Sequence, residues 1–236
     1  MAIKKDQTCE QWLDEIKSRP RPRKLLEYFA ANIAKRQEKK SRKNSSTTTD
    51  TTTTNNNTTN NTTTTTTTNA ATAPSSLNHL LMYCRHCNNK GAEGTARAFL
   101  AAPPPQIVFC TNRLRNAKEM EETFVHEMIH AVDYCTRDMD ITKCEALACS
   151  EIRAAREAEC LTKWIPNRNG EEFKVPWPIT TFTKEGCTKY SAVEATQAMF
   201  PGSVGEACVE KMFQQCYYDT VPFDEEAAAA RAEGNT

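Results

Sequence analysis

Apolar positions recur along the chain at two kinds of spacing, and each kind predicts an element. Between residues 11 and 40, Trp12, Leu13 and Ile16, then Leu25, Leu26, Phe29 and Ile33, fall three and four apart, the repeat of one helix face. The run Arg19-Pro20-Arg21-Pro22-Arg23 interrupts this repeat, because each proline removes a donor and restricts its predecessor. Two helices with a kinked joint are therefore expected, the second ending in a solvated basic stretch from Lys35 to Lys43. Asn116 to Tyr134 predicts a strong helix: Met120, Phe124, Met128 and Val132 repeat every four residues, and Val125 and Ile129 widen the stripe. A further helix is expected over Lys143 to Cys160, where Ala146, Ala148, Ala154, Ala155 and Ala158 would admit a close neighbour. Two shorter helices, Ser191–Phe200 and Val204–Tyr217, flank Pro201-Gly202. Only Gln106–Cys110 (QIVFC) reads as a strand.

From 44 to 76 the pattern vanishes into Thr, Asn and Ser, with nothing apolar to bury beyond Ala70, Ala71 and Ala73. Such a segment has no burial to offset its ordering entropy, so a disordered insert is expected. The predicted organisation is an N-terminal helical segment (1–43), the insert (44–76), a folded domain (77–224) and a flexible tail (225–236).

Composition narrows the function classes. Lys+Arg and Asp+Glu each total 30 in the 236 residues, so no overall charge favours nucleic acid. No apolar run approaches the roughly 18 residues that span a bilayer. The N-terminus lacks the apolar core of a secretory signal, and its acidic residues argue against a cleaved transit peptide. These signals alone suggest the cytosol, yet the 11 cysteines, dispersed from Cys9 to Cys216, suggest a disulfide framework. Buried reduced cysteines are the alternative, and the odd total leaves at least one thiol over. Cys84-Arg85-His86-Cys87 could begin a structural zinc site, but it lacks a second pair at the usual spacing, and a disulfide suits it better. His79 is read as a loop residue.

The chemistry concentrates in HEMIH, residues 126–130. His126 and His130, four apart on a helix, share a face and can converge on one ion. Glu127, turned by about 100°, reaches the edge of the same site, where it can take a proton from the attacking water and pass it to the leaving amine. A zinc hydrolase cleaving peptides is the expected activity. A third ligand is needed, and Glu151, 21 residues after His130 on a returning helix, is the best candidate. Asp133 faces the direction of His126 but lies about 10 Å further along the helix, so it is expected to orient His130 instead. Glu145 is a weaker third candidate.

Cys84-x-x-Cys87, IVFCTN (107–112), HEMIHAVDYC (126–135), ACSEIRAA (148–155) and CYYDTVPF (216–223), in that order, resemble a family. It is the mitochondrial inner membrane metalloprotease and ATP synthase assembly factor family of the intermembrane space. The low strand content already makes the expected class mainly α (α+β), a compact zincin-like domain with a small sheet. The resemblance implies Zn2+ on His126 and His130, with Glu127 as catalytic acid/base. The expected location is the inner membrane, peripherally, on its intermembrane-space side, and the expected partner is the precursor of Fo subunit a. A chaperone role in Fo assembly, independent of proteolysis, is implied too. The chain departs from the family where a histidine is replaced by Ala146, and where a glycine-containing stretch is replaced by Arg-Glu-Ala-Glu (156–159).

Overall fold

The computed structural model describes residues 8–45, 80–90, 94–162 and 183–224. Of the expected insert (44–76), residues 44 and 45 are described, at the end of a helix, and 46–76 lie outside the described residues, as do the tail at 225–236 and His79.

The element order is α1 (Cys9–Lys17), α2 (Pro20–Ser45), β1 (Leu81–Arg85), β2 (Ala98–Ala101), β3 (Gln106–Cys110), α3 (Ala117–Thr136), α4 (Cys144–Glu157), α5 (Glu159–Thr162), α6 (Lys184–Met199) and α7 (Ser203–Tyr217). The fold is thus mainly helical with one three-stranded sheet, the α+β class expected. At the N-terminus, Thr8 and Gln11 cap α1 reciprocally, each side chain bonded to the other's backbone N–H. The prolines expected to break the helical pattern instead occupy the first turn of α2. Their missing N–H groups cost nothing there, since first-turn donors have no partner within the helix. The joint falls one step earlier, at Ser18-Arg19.

β3 is the central strand, parallel to β1 and antiparallel to β2. Its Ile107, Val108, Phe109 and Cys110 are fully buried, which is why it alone was legible as a strand. β1 leaves Leu81 and Tyr83 exposed, and β2 is four residues long, so neither carries enough alternation to be read. Phe109 stacks on Phe124 with ring centroids 6.1 Å apart, seating the sheet on α3. From the other side Leu25, Leu26 and Phe29 of α2 and Leu13 and Ile16 of α1 join the same core.

A second core joins α4, α6 and α7 through Ala148, Cys149, Ile152, Ala192, Val209, Phe213 and Cys216. α6 begins at Lys184, capped by the Thr183 hydroxyl accepting from Gly186 N–H at 2.9 Å, seven residues before the expected Ser191. The buried face of α6 is Thr188, Ala192 and Thr196, small residues at a spacing of four that let it lie close to α4 without an apolar stripe. The helix expected over 143–160 is broken at Ala158 (φ −107°, ψ −88°) into α4 and the single turn α5.

Ten of the 11 cysteines are paired. Cys9–Cys84 joins α1 to β1, and Cys87–Cys110 joins the loop after β1 to β3. Cys144–Cys208 and Cys149–Cys216 join α4 to α7, and Cys160–Cys187 joins α5 to α6. Cys84 and Cys87 are therefore both committed to bonds, to different partners, and the structural-zinc alternative falls. The leftover thiol is Cys135. Thiol titration in denaturant without reductant should give one group per chain. Alkylation of the native protein should be slow near neutrality and speed up with alkaline pH, because burial, opposed by Arg36, pushes the Cys135 thiol up to about 11.

The Cys149–Cys216 bond closes a chain separation of 67 residues in the α4–α7 core. Replacing both cysteines by alanine should cost about 2–5 kcal/mol, read as a lower denaturant midpoint under oxidising conditions. The same substitution frees the turn of α4 that carries Ser150 and Glu151.

Candidate metal centre

α3 and α4 pack against each other, and the small face of α4 lets their backbones approach. α3 starts at Asn116, whose side chain accepts from Glu119 N–H at 2.9 Å, and from there the helical repeat brings His126 and His130 to the face that meets α4. Glu151 answers from α4. The Nε2 atoms of the two histidines are 3.0 Å apart. Glu151 Oε2 lies 3.4 Å from His126 Nε2, and Oε1 lies 3.5 Å from His130 Nε2. Zinc bonds of about 2.0–2.1 Å arranged tetrahedrally put ligand atoms about 3.3 Å apart, so these three donors fit one ion.

The surrounding hydrogen bonds say which atoms are bare. Ser150 Oγ spends its proton on Asp133 Oδ2 at 2.9 Å, so toward His130 Nδ1, 2.7 Å away, it can only accept. His130 therefore carries its proton on Nδ1 and presents a lone pair at Nε2. For His126 the atom beside Nδ1 is Glu159 Oε1 at 2.9 Å, off the axis of the ring N–H but able only to accept. Two imidazole lone pairs and a carboxylate thus converge in a buried place, and Glu151 Oε2 has no hydrogen-bond partner there. Such a set favours a cation, a metal ion or a proton.

In the metal-free protein a proton fills that need. Burial opposes charge on His126, but Glu159 and Glu151 outweigh it and hold its pKa well above the ordinary imidazole value. Burial, with the Glu151 charge opposing it, takes His130 down to about 4, so it stays neutral and can accept from His126. Glu151 is held below the usual carboxylate range because His130 and His126 together overcome its burial. A metal must displace the His126 proton, so metal affinity should rise with pH.

Glu127 sits at the edge of this cluster in a cleft of ≈ 390 Å3. Burial raises its carboxyl to about 7, opposed chiefly by the His126 charge and more weakly by the backbone at Leu100 of β2. β2, at the open side of the sheet, forms one rim, and Ile141, Leu147, Ala195, Ala198 and Met199 form an apolar wall.

The four residues singled out in the sequence, His126, Glu127, His130 and Glu151, are thus brought together. The other two candidates are not. Glu145 is exposed and pairs with Lys211 at 2.6 Å. Asp133 does not touch His130: it acts through Ser150, and its other oxygen is taken by the fully buried Arg153. Sequence reasoning missed Ser150 and Glu159. Ser150 adjoins Glu151 and so travels with it, whereas Glu159 depends on the break at Ala158, which no residue pattern announces. Ala146 is half-buried on α4 and is not among the residues lining the cleft, so that departure leaves the cluster intact.

A buried His/His/Glu cluster beside a glutamate, opening on a cleft with a strand at its rim, is an arrangement in keeping with a metallopeptidase. The profile of the Peptidase M76 family matches residues 42–224, and the chain belongs to that family. The mitochondrial inner membrane protease atp23 of Aspergillus niger is 33% identical over 152 residues, 61% of this chain and 58% of its own length. The protein of that name from Aspergillus clavatus is 34% identical over the same shares, and that of Mycosarcoma maydis 35% identical over 50% of this chain and 54% of its own. The match thus spans less than two thirds of these relatives. No solved structure matches the chain.

Proposed function

We propose that the chain is a zinc-dependent metalloendopeptidase, with His126, His130 and Glu151 as metal ligands and Glu127 as the catalytic acid/base. The observation that carries this is the convergence of His126 Nε2, His130 Nε2 and the Glu151 carboxylate, whose two oxygens lie 3.4 and 3.5 Å from the one and the other nitrogen, beside the buried Glu127 carboxyl. Two histidines and a glutamate are a donor set that suits zinc and leaves a fourth position open to the cleft. Zinc, when bound, supplies Lewis acidity toward a carbonyl and lowers the pKa of water. Glu127 accepts a proton at its carboxylate and returns it to the leaving amine. Ser150 holds the His130 ring, and β2 offers an extended peptide its open edge.

The proposed substrate is a membrane-subunit precursor of ATP synthase, the Fo subunit a precursor, and the proposed place is the intermembrane-space side of the mitochondrial inner membrane. The relatives' names support the inner membrane, and five disulfides suit an oxidising compartment. Among the described residues no helix is long and apolar enough to cross a membrane, so a peripheral association is proposed. A protease-independent role in Fo assembly is the second reading, motivated by Ala146; the intact cluster favours catalysis.

The test is metal content together with cleavage of the purified precursor. One zinc per chain is expected, with cleavage lost on chelation and restored by zinc. Cleavage that survives complete removal of metal would overturn the proposal.

A further inference from the structure

We propose that Glu159 is a positioning residue for His126, holding that ring through Nδ1 so that Nε2 faces the metal; this rests on the zinc reading above. Along an unbroken α4, Glu159 would lie eight residues past Glu151, about 12 Å further on and turned by about 80°, away from the cluster. The break at Ala158 folds it back instead. Both sides of the break are fastened. Glu157, the last residue of α4, is bonded by Arg21 at 2.5 Å and by Arg156 Nε at 2.7 Å. Beyond the break the fully buried Cys160 is bonded to Cys187 of α6. The single turn between these anchors carries Glu159 to 2.9 Å from His126 Nδ1, with 15% of its side chain exposed.

The two histidines are consequently held by different chemistry. His130 leans on a neutral hydroxyl, whose carboxylate neighbour Asp133 already answers Arg153. His126 has a carboxylate oxygen 2.9 Å from Nδ1, off the axis of the ring N–H. A carboxylate against the outer nitrogen fixes the tautomer and makes the inner nitrogen a stronger donor. Glu159 itself is not one of the three residues whose donor atoms converge, so it acts through the ring and not on the ion.

The experiment measures Zn2+ affinity of the full chain, disulfides intact, by competition with a chelator, for wild type, Glu159→Gln and Glu159→Ala. Visible spectra of the Co2+ forms and melting temperatures of the metal-free forms accompany it. Alanine should weaken zinc binding about 10–100-fold. Glutamine, which still accepts a hydrogen bond but lacks the charge, should recover part of that loss. The Co2+ spectrum should keep its four-coordinate intensity in both variants, and the metal-free melting temperatures should match wild type. Affinities within about twofold across the three proteins, well short of the loss a ligand-orienting partner causes, would overturn the assignment. So would a collapsed Co2+ spectrum in Glu159→Ala, since it would make Glu159 a ligand. A metal-free melting temperature lowered in step with the affinity would show a structural role instead. If wild type itself bound no zinc, the metal reading would fall and this one with it; if only the variants matched wild type, this one alone would fall.

Discussion

Glu127→Gln should retain a full complement of zinc and lose precursor cleavage by a factor of about 10^2–10^4, the span of a general acid–base contribution. The substitution keeps the size of a side chain that is 6% exposed, so the cleft should be unchanged. What it removes is the group that changes protonation near neutrality. Its carboxyl is up at about 7 because burial disfavours the charged form, and the His126 charge moderates that rise. A bound divalent cation replaces the His126 proton with a larger charge and should hold Glu127 ionised to lower pH, ready to accept. The variant protein should therefore bind zinc slightly more weakly at most, since a negative neighbour has gone. Metal analysis and cleavage of the same preparation check both halves. Normal processing by the zinc-loaded Glu127→Gln protein would remove Glu127 from catalysis.

The same variant separates the two proposed roles. If Fo assembly proceeds in cells carrying Glu127→Gln, the assembly role needs no proteolysis. A complete assembly defect ties it to cleavage.

Much of the site was legible because its chemistry is local in sequence. His126, Glu127 and His130 share two turns of one helix, and the four-residue repeat of α3 alone orients them. Glu151 required a guess about tertiary structure, but one that the alanines of α4 made reasonable: a helix with a small face packs close to a neighbour. The sheet was mostly hidden, because β1 and β2 are short and half exposed, and pairing with β3 makes them strands more than their own pattern does. α6 was shortened in the reading because its buried stripe is Thr188, Ala192 and Thr196, which no hydrophobic count registers. Glu159 was noticed only as a departure from a family pattern. Its role depends on the backbone at Ala158 and on which partner Cys160 takes, and cysteine pairing is not readable from spacing.

Asp133 shows how a correct direction can still miss the mechanism. Helical geometry placed it below the metal face, yet Ser150 stands between it and His130, and Arg153 is its main partner. Both Asp133 and Arg153 have no exposed surface at all. Arg153 also donates to Val221 O at 2.6 Å and lies against Asp219, so one guanidinium ties α3, α4 and the segment after α7 together. Arg153→Met keeps the volume but leaves the buried Asp133 carboxylate only the Ser150 hydroxyl and the partly exposed Arg137 at 3.6 Å, and should cost about 3–5 kcal/mol of stability. Pairing it with Asp133→Asn should return a large part of that loss, because the stranded charge, more than the lost attraction, sets the cost. Denaturant unfolding of the three variants, disulfides intact, measures this, and purely additive losses would sink the argument. The amide that Asp133→Asn introduces would still accept from Ser150 through its oxygen, so zinc affinity in the double variant should fall less than stability does in Arg153→Met. Ser150, and through it the His130 ring, would then be held by the acceptor oxygen at position 133, while the charge of the buried pair serves stability.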